Sequence, residues 1–159
     1  MLKLLLIENS IHFQNVLKSH FEREGFDLLC ASLYSEAETI ISKNNINVTL
    51  IDLSKLKTEG LQIIKSIKNI KPTCNIITLN NSKQFALSLK AMKLGIFDDF
   101  LMPINVSMLT DRIKAAGAQV QQISPTASSI FRKYQNSLFA ATFAEAGESK
   151  TAIKILDED

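Results

Sequence analysis

Five short apolar runs, separated by segments of helical periodicity, constrain this chain more than any other feature. LKLLLIE (2–8), FDLLCA (26–31), NVTLID (47–52), NIITL (75–79) and IFDDFLM (96–102) each have the length of a strand. The first is apolar almost throughout, which fits a strand covered on both faces. Helical segments fill the gaps. Ile11, Val16, Leu17 and Phe21 recur at helical spacing between Ser10 and Glu24, and Gly25 stops the run. Ser35 is expected to cap a helix through residue 43, with Glu38 as its reciprocal partner and Ala37, Ile40 and Ile41 facing inward. Further helices are predicted over 59–70, over 82–95 ending at Gly95, and from Val106 onward behind a cap at Asn105.

Strict alternation of this kind argues for an α/β fold with a parallel sheet and helices on both faces. Right-handed crossovers leave few topologies. The predicted architecture is a flavodoxin-like, doubly wound, five-stranded parallel sheet of order 2-1-3-4-5 over residues 1–122, followed by a C-terminal α-helical hairpin over 123–159. Open sheets of this type place their sites at the carboxyl ends of the strands, where strand order reverses. Glu8 and Asn9 end the first strand, Asp52 the third, Asn80 the fourth and Met102 the fifth. The ends of the first and third strands are expected to meet. Asp52 is the residue to explain, because a carboxylate ending a buried strand is costly unless something uses it.

Composition narrows the function. A net charge of +2, with no basic run, argues against nucleic acid or a membrane surface as partner. Cys30 and Cys74 form no CxxC pair and fit two buried thiols in a reducing compartment. No window is long and apolar enough to span a bilayer, and MLKLLLIE lacks a cleavage site, so a cytoplasmic protein is expected. Neither GxGxxG nor GxxxxGK[ST] follows any strand, and no nucleophile–His arrangement is suggested, so an enzyme is not expected.

Three stretches in order, LLLIEN (4–9), the LID at 50–52 with Gly60 eight residues on, and LGIFDDFLMP (94–103), resemble the receiver domain of two-component response regulators over about residues 2–118. The resemblance implies that an acidic pair after the first strand helps bind Mg²⁺, and here that pair reads Glu8-Asn9. It implies a phosphoacceptor at Asp52, a Thr or Ser where this chain has Asn80, and a Lys before a Pro where it has Met102 before Pro103. It also implies an aromatic switch residue where this chain has Asp99, beside Phe100; these two are assigned to the switch and partner face. Asp98 and Asp99 are expected at the surface.

The substitutions bear on chemistry. Phosphoryl transfer rests on positioning and charge neutralisation, and Mg²⁺ prefers hard anionic oxygens. Asn9 offers an oxygen without the charge, and the Met102 thioether cannot replace an ammonium. The expected cofactor is therefore none, or a weakly bound Mg²⁺ on Glu8, Asn9 and Asp52. Two functions follow. The first is a stand-alone response-regulator-like signalling protein with a degenerate phosphorylation site, acting by contact with a histidine kinase, a downstream target or a second copy of itself. The alternative is a working phosphoacceptor, phosphorylated at Asp52 with Mg²⁺. Lys55 and Lys57 either neutralise Asp52 in place of the missing Lys or belong to a solvated loop. His12 either assists a metal or lies on the surface. His20 is expected to face solvent.

Ser124-Pro125 restarts the chain as a helix start, and helices are expected at about 126–146 and 149–157, split by Gly147. ATFAEAGESKTAIKIL (141–156) weakly resembles one tetratricopeptide-type hairpin, with small Gly147 and Ala152. A single hairpin cannot bury its own apolar face. Phe131, Tyr134, Leu138, Phe143 and Ile153 therefore need a second surface: the receiver-like domain, a second copy, or another protein.

Overall fold

The computed structural model describes residues 1–120. Five parallel strands alternate with helices: β1 (Lys3–Ile7), α1 (Ile11–Arg23), β2 (Asp27–Ala31), α2 (Tyr34–Lys43), β3 (Val48–Asp52), α3 (Leu53–Ile70), β4 (Asn75–Asn80), a 3₁₀ turn (Ser82–Gln84), α4 (Phe85–Lys93), β5 (Asp98–Leu101) and α5 (Val106–Val120). The sheet order is β2-β1-β3-β4-β5, as expected. The C-terminal hairpin expected over 123–159 lies outside the described residues.

The apolar runs resolve into two faces. Leu4, Leu6, Val48, Leu50, Ile77 and Leu79 pack with Leu17 and Phe21 of α1 and with Leu109, Ile113 and Ala116 of α5. Leu5, Ile7, Ile51 and Ile76 pack on the other side with Ala37 and Ile41 of α2, Ile64 and Ile67 of α3 and Ala91 of α4. Successive strand side chains point to opposite faces, and both faces are covered, so the strands need no polar alternation. Burying one such Leu or Ile contributes about 1.5–3 kcal/mol. Ile11 and Val16 differ from expectation: both are exposed, because α1 buries the stripe of Gln14, Leu17 and Phe21 instead.

Helix ends follow the sequence in part. Gly25 and Gly95 adopt φ of 81° and 79°, a left-handed conformation that glycine enters without a Cβ penalty. α2 starts one residue before Ser35. Glu36, not Glu38, reaches back to accept from the N–H groups of Ser32 (2.8 Å) and Leu33 (3.2 Å). Asn105 does cap α5: its Oδ1 accepts from the Met108 N–H at 3.1 Å. Asn105→Ala is expected to cost about 1 kcal/mol in urea denaturation, and an unchanged midpoint would show that solvent replaces the cap.

The largest departure is the start of α3. The helix expected from residue 59 begins at Leu53, directly after β3, and is interrupted at Lys57 (φ 49°, ψ −125°). The expected loop carrying Lys55 is thus one helical turn. Gly60 then lets this turn close on the helix that follows: a Cβ there would lie 2.4 Å from Leu53 Cδ2 and 3.3 Å from Leu56 Cβ. No helix among the described residues is long and apolar enough to cross a membrane.

Candidate functional site

β1 and β3 are neighbours, with Ile7 opposite Ile51. The next residues of each strand, Glu8 and Asp52, therefore emerge side by side at the carboxyl edge of the sheet. Both are buried. Each uses one carboxylate oxygen fully. Asp52 Oδ1 accepts from the Ser54 N–H at 2.8 Å and from the Ser54 hydroxyl, so Asp52 is the N-cap of α3. Glu8 Oε1 accepts from the Ser10 N–H at 2.7 Å and from the Lys55 ammonium at 3.0 Å. The other oxygens, Glu8 Oε2 and Asp52 Oδ2, are buried without a hydrogen-bond partner. Burial pushes the Glu8 carboxyl above its ordinary range, and the Asp52 carboxylate within hydrogen-bonding reach adds to the rise. The Ser10 N–H and the Lys55 ammonium oppose it.

Lys55 stands three residues after Asp52, and the first turn of α3 carries it back over the pocket. Its ammonium lies 5.9 Å from the centroid of the Phe13 ring. The cation that sequence reasoning offered to Asp52 is thus bound to Glu8 instead. Lys57 is exposed. Gln14 ties the edge together from α1: its amide donates to the Glu8 carbonyl and, at 3.1 Å, to the Ser32 hydroxyl. Ser54 and Gln14 were not anticipated. The Asp52-x-Ser54 spacing was a readable signal for the cap, since aspartate often bonds the backbone two residues on.

The remaining candidates fall into two groups. Asn9 and Pro103 are exposed and Met102 is half-buried; the Met102–Pro103 peptide is cis. Asn80 is fully buried and does not stand free at the strand end. Its amide donates to the Ser88 hydroxyl of α4 at 2.7 Å. Ser88 donates on to Asp99 Oδ2 at 2.6 Å, and Thr78 donates to Asp99 Oδ1 at 2.5 Å. Asp99 is therefore not the surface or partner-facing residue expected from sequence. It closes a polar chain joining β4, α4 and β5, and burial pushes its carboxyl upward against the two hydroxyl bonds. Phe100 points the other way and packs on the core beneath α1 and α5. Asp98, on that same face, pairs with Arg112 at 2.6 Å. His12 is exposed. His20 corrects a second expectation: it is half-buried, with Nε2 3.0 Å from the Thr110 hydroxyl. That hydroxyl already donates to the Val106 carbonyl at 2.8 Å, so Nε2 is the donor.

The profile of the response regulator receiver domain matches residues 4–114. The chain belongs to this family. As a receiver domain, it is a module of two-component signalling. It is 25% identical over 114 residues to the photosynthetic apparatus regulatory protein RegA of Cereibacter sphaeroides, a match covering 72% of this chain and 62% of RegA. The chain thus spans less than two thirds of that relative. A response regulator receiver domain protein from Clostridium thermocellum superposes with a TM-score of 0.71 at 27% identity, over 76% of this chain and 98% of that one. The receiver domain of a sensor histidine kinase from Pseudomonas aeruginosa, solved with a magnesium ion coordinated in its active-site cleft, superposes with a TM-score of 0.65 at 15% identity, over 74% of this chain and 98% of that one.

A magnesium site in this receiver domain would have to be built from Glu8, Asp52 and their neighbours. The two bare oxygens are of the right kind. The rest of the donor set is not. Asn9 is exposed and uncharged, and an ammonium already sits on Glu8. With Lys55 seated, the residues present do not fit a divalent ion.

Proposed function

We propose that this receiver domain is a signalling module whose phosphorylation pocket is degenerate, that it is not an enzyme, and that it acts by protein–protein contact. One observation carries this. The candidate phosphoacceptor Asp52 is fully buried and committed to capping α3, while the ammonium of Lys55, three residues on, is spent on Glu8. An acceptor must expose an oxygen in line with its donor, and the transferred group needs cations aimed at it. Met102 supplies none.

The contact surface that fits best is the face of α4, β5 and α5. Phe85, Leu101 and Met108 are 63%, 56% and 59% exposed there, one from each element. Large exposed apolar side chains carried by all three elements support an interaction surface there. The partner is a histidine kinase, a downstream target or a second copy of the chain.

A second function is favoured by one feature. The bare oxygens of Glu8 and Asp52 are what a working Mg²⁺-dependent acceptor would present. Incubation with acetyl phosphate and Mg²⁺, followed by intact-mass measurement, separates the two. The degenerate pocket is expected to give no stoichiometric phosphoryl adduct. A full adduct that disappears in Asp52→Asn would establish the working acceptor instead.

A further inference from the structure

We propose that Lys55 is a built-in counter-ion that keeps divalent cations off the Glu8–Asp52 pair, so that removing its charge opens a divalent-cation site there. This rests on the degenerate pocket proposed above and assigns the residue responsible.

The charges make the case. Two carboxylates stand side by side at a buried sheet edge, each with one oxygen satisfied and one bare. Like charges so placed are unfavourable unless a cation is near. The Lys55 ammonium, 3.0 Å from Glu8 Oε1, is that cation. With both carboxyls ionised, one ammonium against two carboxylates leaves a formal charge of −1. A divalent ion added to this set would leave +1 and would have to approach an ammonium at close range. Without the ammonium, the same ion would bring the set to neutrality and satisfy both bare oxygens.

Position explains why the ammonium has the advantage. It is tethered three residues from Asp52 by the first turn of α3, a turn that Asp52 itself caps. Tethering gives it a high effective concentration that a free ion does not have. Its side chain is 44% exposed while the Glu8 side chain is fully buried, so the ammonium reaches Glu8 from the solvent side.

The test uses the full chain and Mn²⁺ as probe, read from loss of the free-ion paramagnetic resonance signal, with Mg²⁺ as competitor. Lys55→Met and Lys55→Gln are each expected to bind Mn²⁺ about tenfold or more tightly than the unaltered chain. Lys57→Met removes the same charge one residue beyond that turn and is expected to bind no better than the unaltered chain. Asp52→Asn in the Lys55→Met background is expected to abolish the gain. Lys55→Gln keeps an N–H donor for Glu8, so it tests the site even if Lys55→Met unfolds. Equal affinity in the Lys55 variants and the unaltered chain overturns the proposal, as does an equal gain in Lys57→Met. The acetyl phosphate experiment fails separately: an adduct on the unaltered chain sinks the degenerate pocket whatever the Lys55 variants bind.

Discussion

Asp52→Asn is expected to stabilise this receiver domain by about 1–3 kcal/mol, the range for repairing a buried unsatisfied polar group. The substitution keeps what Asp52 does for the fold. The asparagine Oδ1 still accepts from the Ser54 N–H and hydroxyl, so α3 keeps its cap. What changes is the other atom. A bare carboxylate oxygen becomes an amide donor within reach of the Glu8 carboxylate, whose Oε2 is itself bare. Two unsatisfied atoms become one hydrogen bond, and one of two adjacent buried charges is removed. A rise of several degrees in Tm accompanies a gain of this size. Asp52→Ala is expected to fall below Asp52→Asn, because it loses the cap and leaves Glu8 Oε2 bare. Urea denaturation of the three proteins checks the order. A loss of stability in Asp52→Asn would mean that a cation other than Lys55 compensates the carboxylate, and it would argue for the working acceptor. A gain would mean that the carboxylate at this position costs the fold stability, as functional groups often do.

The fold was legible because its signals are local. Each strand appears in the sequence as an apolar run, and the glycines that end α1 and α4 appear as single residues with left-handed φ. The pairing of strand ends followed from topology, which is why Glu8 and Asp52 were placed together correctly. What was missed depends on contacts distant in sequence. Lys55 meets Glu8 across 47 positions, and His20 meets Thr110 across 90. No periodicity encodes either. α2 was misplaced because Ser35 and Glu38 mimic a capping box that Glu36 makes instead with Ser32 and Leu33. Asp99 was misplaced for a different reason. Strand alternation sets Phe100 and Asp99 on opposite faces of β5, and with Phe100 on the α1–α5 side, Asp99 must face α4. The period-two signal is in the sequence, and it assigns Asp99 a face that the resemblance to a switch position does not.

Asp99→Ala is expected to cost about 1–3 kcal/mol, because it leaves the buried hydroxyls of Thr78 and Ser88 without their acceptor. Asp99→Asn is expected to behave differently, and pH separates the two. The Asp99 carboxyl is raised above 3.8 by burial, despite the bonds from Ser88 and Thr78. A group whose folded pKa is raised gives stability that is fully present below its unfolded pKa and lost as pH rises through the folded value. The native chain therefore weakens relative to Asp99→Asn as pH climbs from about 3.8, and the difference levels off once Asp99 is ionised in the folded state. Asparagine carries no charge to desolvate and still offers an acceptor to one hydroxyl and a donor to the other. Urea midpoints for both variants at acid and neutral pH check this; a gap between native chain and Asp99→Asn that does not change with pH would show that the carboxyl is not held in the buried chain. The consequence reaches the proposed contact face. Asn80, Ser88, Asp99 and Thr78 tie the end of β4 to α4 and β5. Phe85 sits at the start of α4 and Leu101 at the end of β5, so this chain fixes the elements that carry both. Cutting it with Asp99→Ala should loosen that face while leaving Asp52 and Lys55 untouched. Partner binding lost in Asp99→Ala but kept in Asp99→Asn would locate docking on α4 and β5 and not at the pocket.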